Sequence, residues 1–195
     1  MRNVIKIILC VSFISILTIS CKKDPEVITG CTDKQGDNYD PNATEDNGSC
    51  TFQKRFLGDY DGLFTCKGVF ATAFSMAPLS VTELIKKDEV NIIIQSAIGP
   101  LPVMGKLTKD TVFVDALLPN VKVRVGDVIA GGGDAQVLCD GKVKTKLAIS
   151  ADNKILTGVI ALELVTKEAT VVGGLFPIPA GYKLEDNCDF TGTKK

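Results

Sequence analysis

The side chains of this chain best suited to chemistry are its cysteines. Seven occur: Cys10, Cys21, Cys31, Cys50, Cys66, Cys139 and Cys188. No histidine accompanies them. Without imidazole there is no Ser-His-Asp or Cys-His nucleophile, no HExxH zinc site and no histidine acid–base step. Asp59 and Asp61 are the carboxylates nearest in spacing to a glycosidase pair. On one strand they share a face beside Gly58 and Gly62, which marks a strand start better than a catalytic site. No catalytic residue is assigned, and the chain is read as no enzyme. Tryptophan is absent and tyrosine scarce, so platforms for stacking sugars are poorly supplied. The formal net charge is −1, and bulk charge therefore implies neither nucleic acid nor an anionic membrane surface.

What remains for the thiols is acylation and disulfide formation. Cys21 follows a basic start (Arg2, Lys6), an uncharged apolar run from Ile7 to Ile19, and the small residue Ser20. That run suits a secretory signal and is short of the roughly 20 apolar residues of a membrane span. Leu17-Thr18-Ile19-Ser20-Cys21 resembles a bacterial lipobox, with Thr18 where leucine is usual. The resemblance implies cleavage after Ser20, a diacylglycerol on the Cys21 thiol and an acyl chain on the new amine. More than one chain gives stable anchoring at about 0.8 kcal/mol per buried methylene. The competing reading is an ordinary signal peptide, with Cys21 a bystander. The charged Lys22-Lys23-Asp24-Pro25-Glu26 resembles the surface-export tags of Bacteroidota-type lipoproteins. The expectation is a signal peptide over 1–20, a palmitate-bearing lipidated tether over 21–29, and attachment to the outer membrane of a cell envelope. The protein then faces the cell surface or the periplasm.

Cys10 leaves with the signal, and five cysteines remain for an exported protein, where disulfides are permitted. Residues 30–50 are bounded by Cys31 and Cys50 and carry the turn dipeptides Asp40-Pro41 and Asn47-Gly48. They show no apolar periodicity, so this stretch reads as a loop closed by a Cys31–Cys50 bridge. Gly30-Cys31-Thr32-Asp33, Asn38-Tyr39-Asp40-Pro41, Ala43 and Gly48-Ser49-Cys50 closely resemble a cysteine-bounded repeat of secreted and surface proteins from similar bacteria. Asp33, Asp37, Asp40 and Asp46 are hard oxygen donors of the kind calcium prefers. Their spacing is not that of an EF-hand loop, so a solvated acidic turn competes with a calcium site. No other cofactor is implied.

After a short linker over 51–55, the main domain is expected over 56–190, with a polar tail over 191–195. Gly58 to Cys66 alternates as a first strand. Its Gly-x-Tyr-x-Gly start resembles the opening of calycin-like (lipocalin-like) β domains. Leu79 to Lys86 and Glu89 to Ser96 form a candidate hairpin around Lys87-Asp88. Thr111 to Leu117 is a strand, and Val121 to Val125 alternates valines inward with cations outward. Asp140-Gly141 is a hairpin signal. Beyond it, Val143, Thr145, Leu147 and Ile149 face one way and Lys142, Lys144 and Lys146 the other. Ile155 to Val165 is apolar on nearly both faces, as for a covered strand. About eight strands at intervals near 10 residues favour an all-β antiparallel meander closed into a barrel, with an open two-sheet sandwich as the alternative. Residues 167–181 are apolar but rich in glycine and proline, and Phe70 to Leu79 is similarly apolar and irregular. Both read as loops over one barrel mouth.

In a closed meander the first and last strands are neighbours, which favours Cys66–Cys188 and leaves Cys139 free. Cys66–Cys139 and Cys139–Cys188 stay open. Asp110-Thr111-Val112 resembles an O-glycosylation site on Thr111, and a turn entering a strand explains it equally. The expectation is a non-enzymatic lipoprotein that presents a barrel for a small apolar ligand or an envelope protein. The alternative is a structural accessory protein with a filled barrel. A monomer is expected, with the membrane as its partner through the lipid.

Overall fold

The computed structural model describes residues 26–71, 73–129, 131–172 and 176–195. The expected signal peptide over 1–20 and the expected lipidation residue Cys21 lie outside the described residues. A two-residue parallel ladder of β1 (Thr29–Gly30) and β2 (Glu45–Asp46) ties the cysteine-bounded module. One helical turn, α1 (Gln53–Phe56), leads into the barrel.

Eight antiparallel strands close that barrel: β3 (Gly58–Cys66), β4 (Leu79–Glu83), β5 (Glu89–Ser96), β6 (Gly99–Leu107), β7 (Thr111–Arg124), β8 (Gln136–Ile149), β9 (Ile155–Thr166) and β12 (Lys183–Lys194). Each pairs with the next, and β12 inserts between β9 and β3. Closure means that no strand stands at the end of a sheet, unlike in the open sandwich weighed as the alternative. Period-2 alternation puts Tyr60 and Phe64, Val90, Ile92 and Ile94, and Val143, Leu147 and Ile149 inside.

Connections divide between two ends. At one, the β4–β5, β6–β7 and β8–β9 turns meet α1. At the other lie residues 67–78, the turn α2 (Val125–Val128), and the β10 (Thr170–Val172) and β11 (Phe176–Ile178) hairpin. Residues 67–78 enter the mouth and bury Phe70, Phe74 and Ala77. The amide of Ala77 donates to the Gly62 carbonyl (3.1 Å). A Cβ on Gly62 would run into the Ala77 carbonyl oxygen, so this close crossing requires glycine.

Several expectations change. Asp140-Gly141 is no hairpin: both lie within β8, and Gly141 pairs with Leu118 on one side and Leu164 on the other. The flanks of a true hairpin must pair with each other, whereas these pair with different strands. The two segments 111–117 and 121–125 are a single strand, β7, whose register shifts between Leu118 and Val121. Pro119 and left-handed Asn120 (φ 59°) make that bulge. Residues 191–194 are no tail. They end β12, paired with β3 and β9. Within the expected linker over 51–55, Gln53 and Arg55 are buried and, with Phe56, form a plug. The outer face of β9 is uncovered, with Ile155 and Val159 exposed.

Candidate functional site

Both ends of the barrel and its interior bear on what it can hold. The α1 end is sealed by polar side chains. Gln53 is fully buried, and its amide nitrogen donates to the carbonyls of Leu84 (2.9 Å), Lys86 (3.2 Å) and Glu89 (2.7 Å). Buried Arg55 donates to Asn153 Oδ1 (3.0 Å), the Lys109 carbonyl (2.9 Å) and Asp110 Oδ1 (2.5 Å). Two side chains thus satisfy groups from all three turns, which a buried carbonyl requires. Phe56 closes the floor, and its carbonyl accepts from the Tyr60 hydroxyl (2.8 Å). Burial pushes the Tyr60 phenol up to about 12.

The interior is filled with rings. Phe64 lies 5.6 Å from Phe74 and 4.8 Å from Phe190 between centroids, and Phe70 meets Phe74 edge-on at 6.0 Å. The void beside Phe70 and Phe74 measures about 10 Å³, at the lower limit for one water.

The far end offers a shallow apolar cleft of about 400 Å³ between α2 and the β10–β11 hairpin. Val125, Ile129, Val172, Ile178 and Tyr182 line it. Thr166 holds the hairpin there: its hydroxyl donates to the Pro179 carbonyl (2.7 Å) and accepts from the Tyr182 amide (2.8 Å). Asp186 holds the neighbouring segment by accepting from the amides of Gly68 (2.9 Å) and Phe70 (3.2 Å). The two apolar irregular segments therefore share one mouth, as the sequence suggested. Thr166 and Asp186 carried no sequence signal, because each acts on backbone far along the chain.

The cysteines pair as Cys31–Cys50 and Cys66–Cys188, and Cys139 is free and buried. Cys66 and Cys188 lie directly opposite each other on β3 and β12, the strands that close the barrel. Burial pushes the Cys139 thiol up, with the nearby Asp140 charge adding to the effect.

The four aspartates of the module do not converge. Asp33 pairs with Lys109 (2.5 Å) and accepts from the Gln35 amide (3.0 Å). Its Lys109 hydrogen bond, then the Gln35 amide, holds its carboxyl below the usual range. Asp37 accepts from the Lys54 amide (3.0 Å), Asp40 from Asn42 (2.9 Å) and Asp46 from Gly48 (3.0 Å). Each carboxylate caps a local turn or docks the module on the barrel. Among the described residues, the grouping with metal-ligand spacing is Cys66, Asp186 and Cys188, in which both thiols are spent on the disulfide. The outer pair Asp59 and Asp61 is also occupied, by the Ser80 hydroxyl (2.7 Å) and Lys195 (2.9 Å) respectively. Thr111 opens β7 and is half-buried, immediately after Asp110, which Arg55 engages.

Comparison with protein-family models, with curated proteins and with solved structures finds no match for this chain.

Proposed function

We propose that this chain is a non-enzymatic cell-envelope lipoprotein, anchored through Cys21, whose β-barrel recognises a partner by its outer surface. The filled interior carries this reading. A carrier of small apolar ligands needs several hundred Å³ of enclosed space. Here Phe64, Phe70, Phe74 and Phe190 occupy the middle, beside a void of about 10 Å³. The lipobox-like Leu17 to Cys21 and the charged residues behind it support the anchoring. So does the order of parts: tether, stapled module, sealed barrel end. The module docks on the α1 end through Asp33–Lys109 and through Gln35, which accepts from Arg55 (3.3 Å). The lipid therefore attaches at the sealed end and leaves the cleft end pointing outward.

One observation favours a second reading. The cleft of about 400 Å³ is mainly apolar, and it suits a small apolar ligand held at the mouth rather than inside.

Two measurements on protein from its own host test these readings. Membrane fractionation should show Cys21→Ala released, or retained with an unprocessed signal, while the barrel still folds. Native mass spectrometry should show the lipid and no tightly held small molecule. A stoichiometric co-purified apolar compound favours the second reading, and a soluble wild-type protein ends the anchoring proposal.

A further inference from the structure

The barrel is closed unevenly. β5 and β6 pair from Glu89↔Lys106 to Ser96↔Gly99, and β7 and β8 pair along nearly their whole length. Between β6 and β7 only Lys106↔Phe113 and Leu107↔Val112 pair. Above that point Gly99 to Gly105 has β5 alone as a neighbour, and Val114 to Arg124 has β8 alone, among the described residues.

The sequence explains why this seam does not zip. The Leu107 amide donates to the carbonyl of Asp88, just before β5 (2.7 Å). Alternation then turns the backbone groups of residues 100, 102, 104 and 106 toward β7. Two of these are Pro100 and Pro102, which have no amide to give. Just before β7, the Asp110 carbonyl accepts from the amide of Ile149, the last residue of β8, and the Thr111 carbonyl at the start of β7 accepts from Thr108 across the β6–β7 turn. The same alternation turns the amides and carbonyls of Phe113, Asp115 and Leu117 toward β6. Phe113 meets Lys106, whereas Asp115 and Leu117 meet no strand.

The side chains along the seam form a pattern of their own. Leu117 is 75% exposed and Met104 64%, on opposite banks, with half-exposed Phe113 at the closed foot. Asp115 is neutralised by Lys144 (3.1 Å). Lys106 at the foot and Lys142, the β8 neighbour of Leu117, make no ion pair among the described residues: the glutamates opposite them, Glu89 and Glu163, are held by Lys86 and Lys183. An open row of backbone groups spaced two residues apart matches only another extended backbone. The flanking chemistry asks that backbone for apolar and acidic side chains.

We propose that the β6–β7 seam is a strand-addition site: an extended, acidic and apolar segment of an envelope protein pairs with β7 at Asp115 and Leu117. Pro100 and Pro102 keep β6 from occupying that place. Acidic side chains of the incoming strand reach Lys106 and Lys142, and its apolar ones lie against Met104 and Leu117. The inference names the partner class of the surface-recognition reading and rests on it.

The test uses the intact protein in lipid nanodiscs and a labelled peptide that repeats glutamate, threonine, valine and threonine, so that glutamate and valine alternate along one face of the strand, the face that Met104, Lys106, Leu117 and Lys142 share. Fluorescence anisotropy should saturate, and amide exchange at Asp115 and Leu117 should slow as peptide is added. Two N-methylated forms of the peptide separate strand pairing from charge attraction. Methylation on the edge facing β7 should weaken binding about tenfold or more, and on the opposite edge by less than about twofold. Leu117→Pro, which removes a seam-facing amide and spares the β8 ladder, should weaken the unmodified peptide similarly. Equal loss from both methylated forms, or no saturation at millimolar peptide, overturns the proposal. Protection at Asp115 and Leu117 before peptide is added also overturns it. That protection assigns the seam to lipid if it is independent of protein concentration, and to a second copy of this chain if it grows with it. None of these outcomes depends on whether Cys21→Ala leaves the membrane fraction, so the anchoring proposal stands or falls separately.

Discussion

Arg55 Nη1 lies 2.5 Å from Asp110 Oδ1, joining the buried plug before the first barrel strand to the turn between β6 and β7. The two ends of this contact are unlike. The Arg55 side chain is 3% exposed and that of Asp110 55%. The guanidinium also serves Asn153 and the Lys109 carbonyl. Arg55→Ala should therefore cost about 2–4 kcal/mol, because it strands acceptors from two turns and empties a buried volume. Asp110→Asn should cost about 1 kcal/mol or less, because an exposed acceptor is readily replaced by water. Urea unfolding of both variants checks the ranking. Equal losses would show that the ion pair, rather than the plug, seals this end.

Cys66–Cys188 and Cys31–Cys50 should differ in worth. They close separations of 122 and 19 residues. On the chain-entropy account the longer loop contributes about 5 kcal/mol and the shorter about 3 kcal/mol. The Cys66→Ser, Cys188→Ser double variant should lower stability more than the Cys31→Ser, Cys50→Ser variant. The latter should mainly loosen the module on the barrel. Non-reducing peptide mapping of the wild type should recover both pairs, with Cys139 alkylated only after unfolding. Rapid labelling of native Cys139 would contradict its burial.

Phe74→Ala tests the filled interior directly. Phe74 is buried and touches both Phe64 and Phe70. Removing its ring should cost about 3–5 kcal/mol and open an apolar cavity. The variant should then bind an apolar fluorescent dye that the wild type ignores. A wild type that already binds the dye as well as the variant does would return the interior to a carrier role.

Most of the barrel could be read from local pattern. Alternation at Val121 to Arg124 and at Val143 to Ile149 fixes which face is inward, and a closed meander brings Cys66 to Cys188. The plug could not be read this way. Gln53 and Arg55 stand in a short polar stretch, and polar residues there normally face water. They are buried only because three turns, distant in sequence, converge on them. Asp140-Gly141 misled for the opposite reason. Its local turn chemistry is real, but pairing on both sides, to Leu118 and Leu164, overrides it. The seam lies between these cases. Pro100 and Pro102 are plain in the sequence, but their meaning depends on which edge of β6 they face, and that comes from register alone.

Tyr60 should make the barrel sensitive to alkali in a predictable direction. Its side chain is fully buried at the floor, donates to the Phe56 carbonyl, and has its phenol pushed up to about 12 from an ordinary value near 10. A raised folded-state value means that the native protein holds this proton more tightly than the unfolded chain. The associated stability is fully present below pH 10. It declines between about pH 10 and 12, where only the unfolded state has lost the proton, by up to roughly 2–3 kcal/mol. Tyr60→Phe should start about 1 kcal/mol less stable from the lost hydrogen bond and should lack that part of the alkaline decline. Denaturant unfolding across this range, alongside phenolate absorbance, separates Tyr60 from exposed tyrosines. Parallel pH profiles for the wild type and Tyr60→Phe would mean that the phenol ionises freely, and that the floor of the barrel opens to solvent without global unfolding.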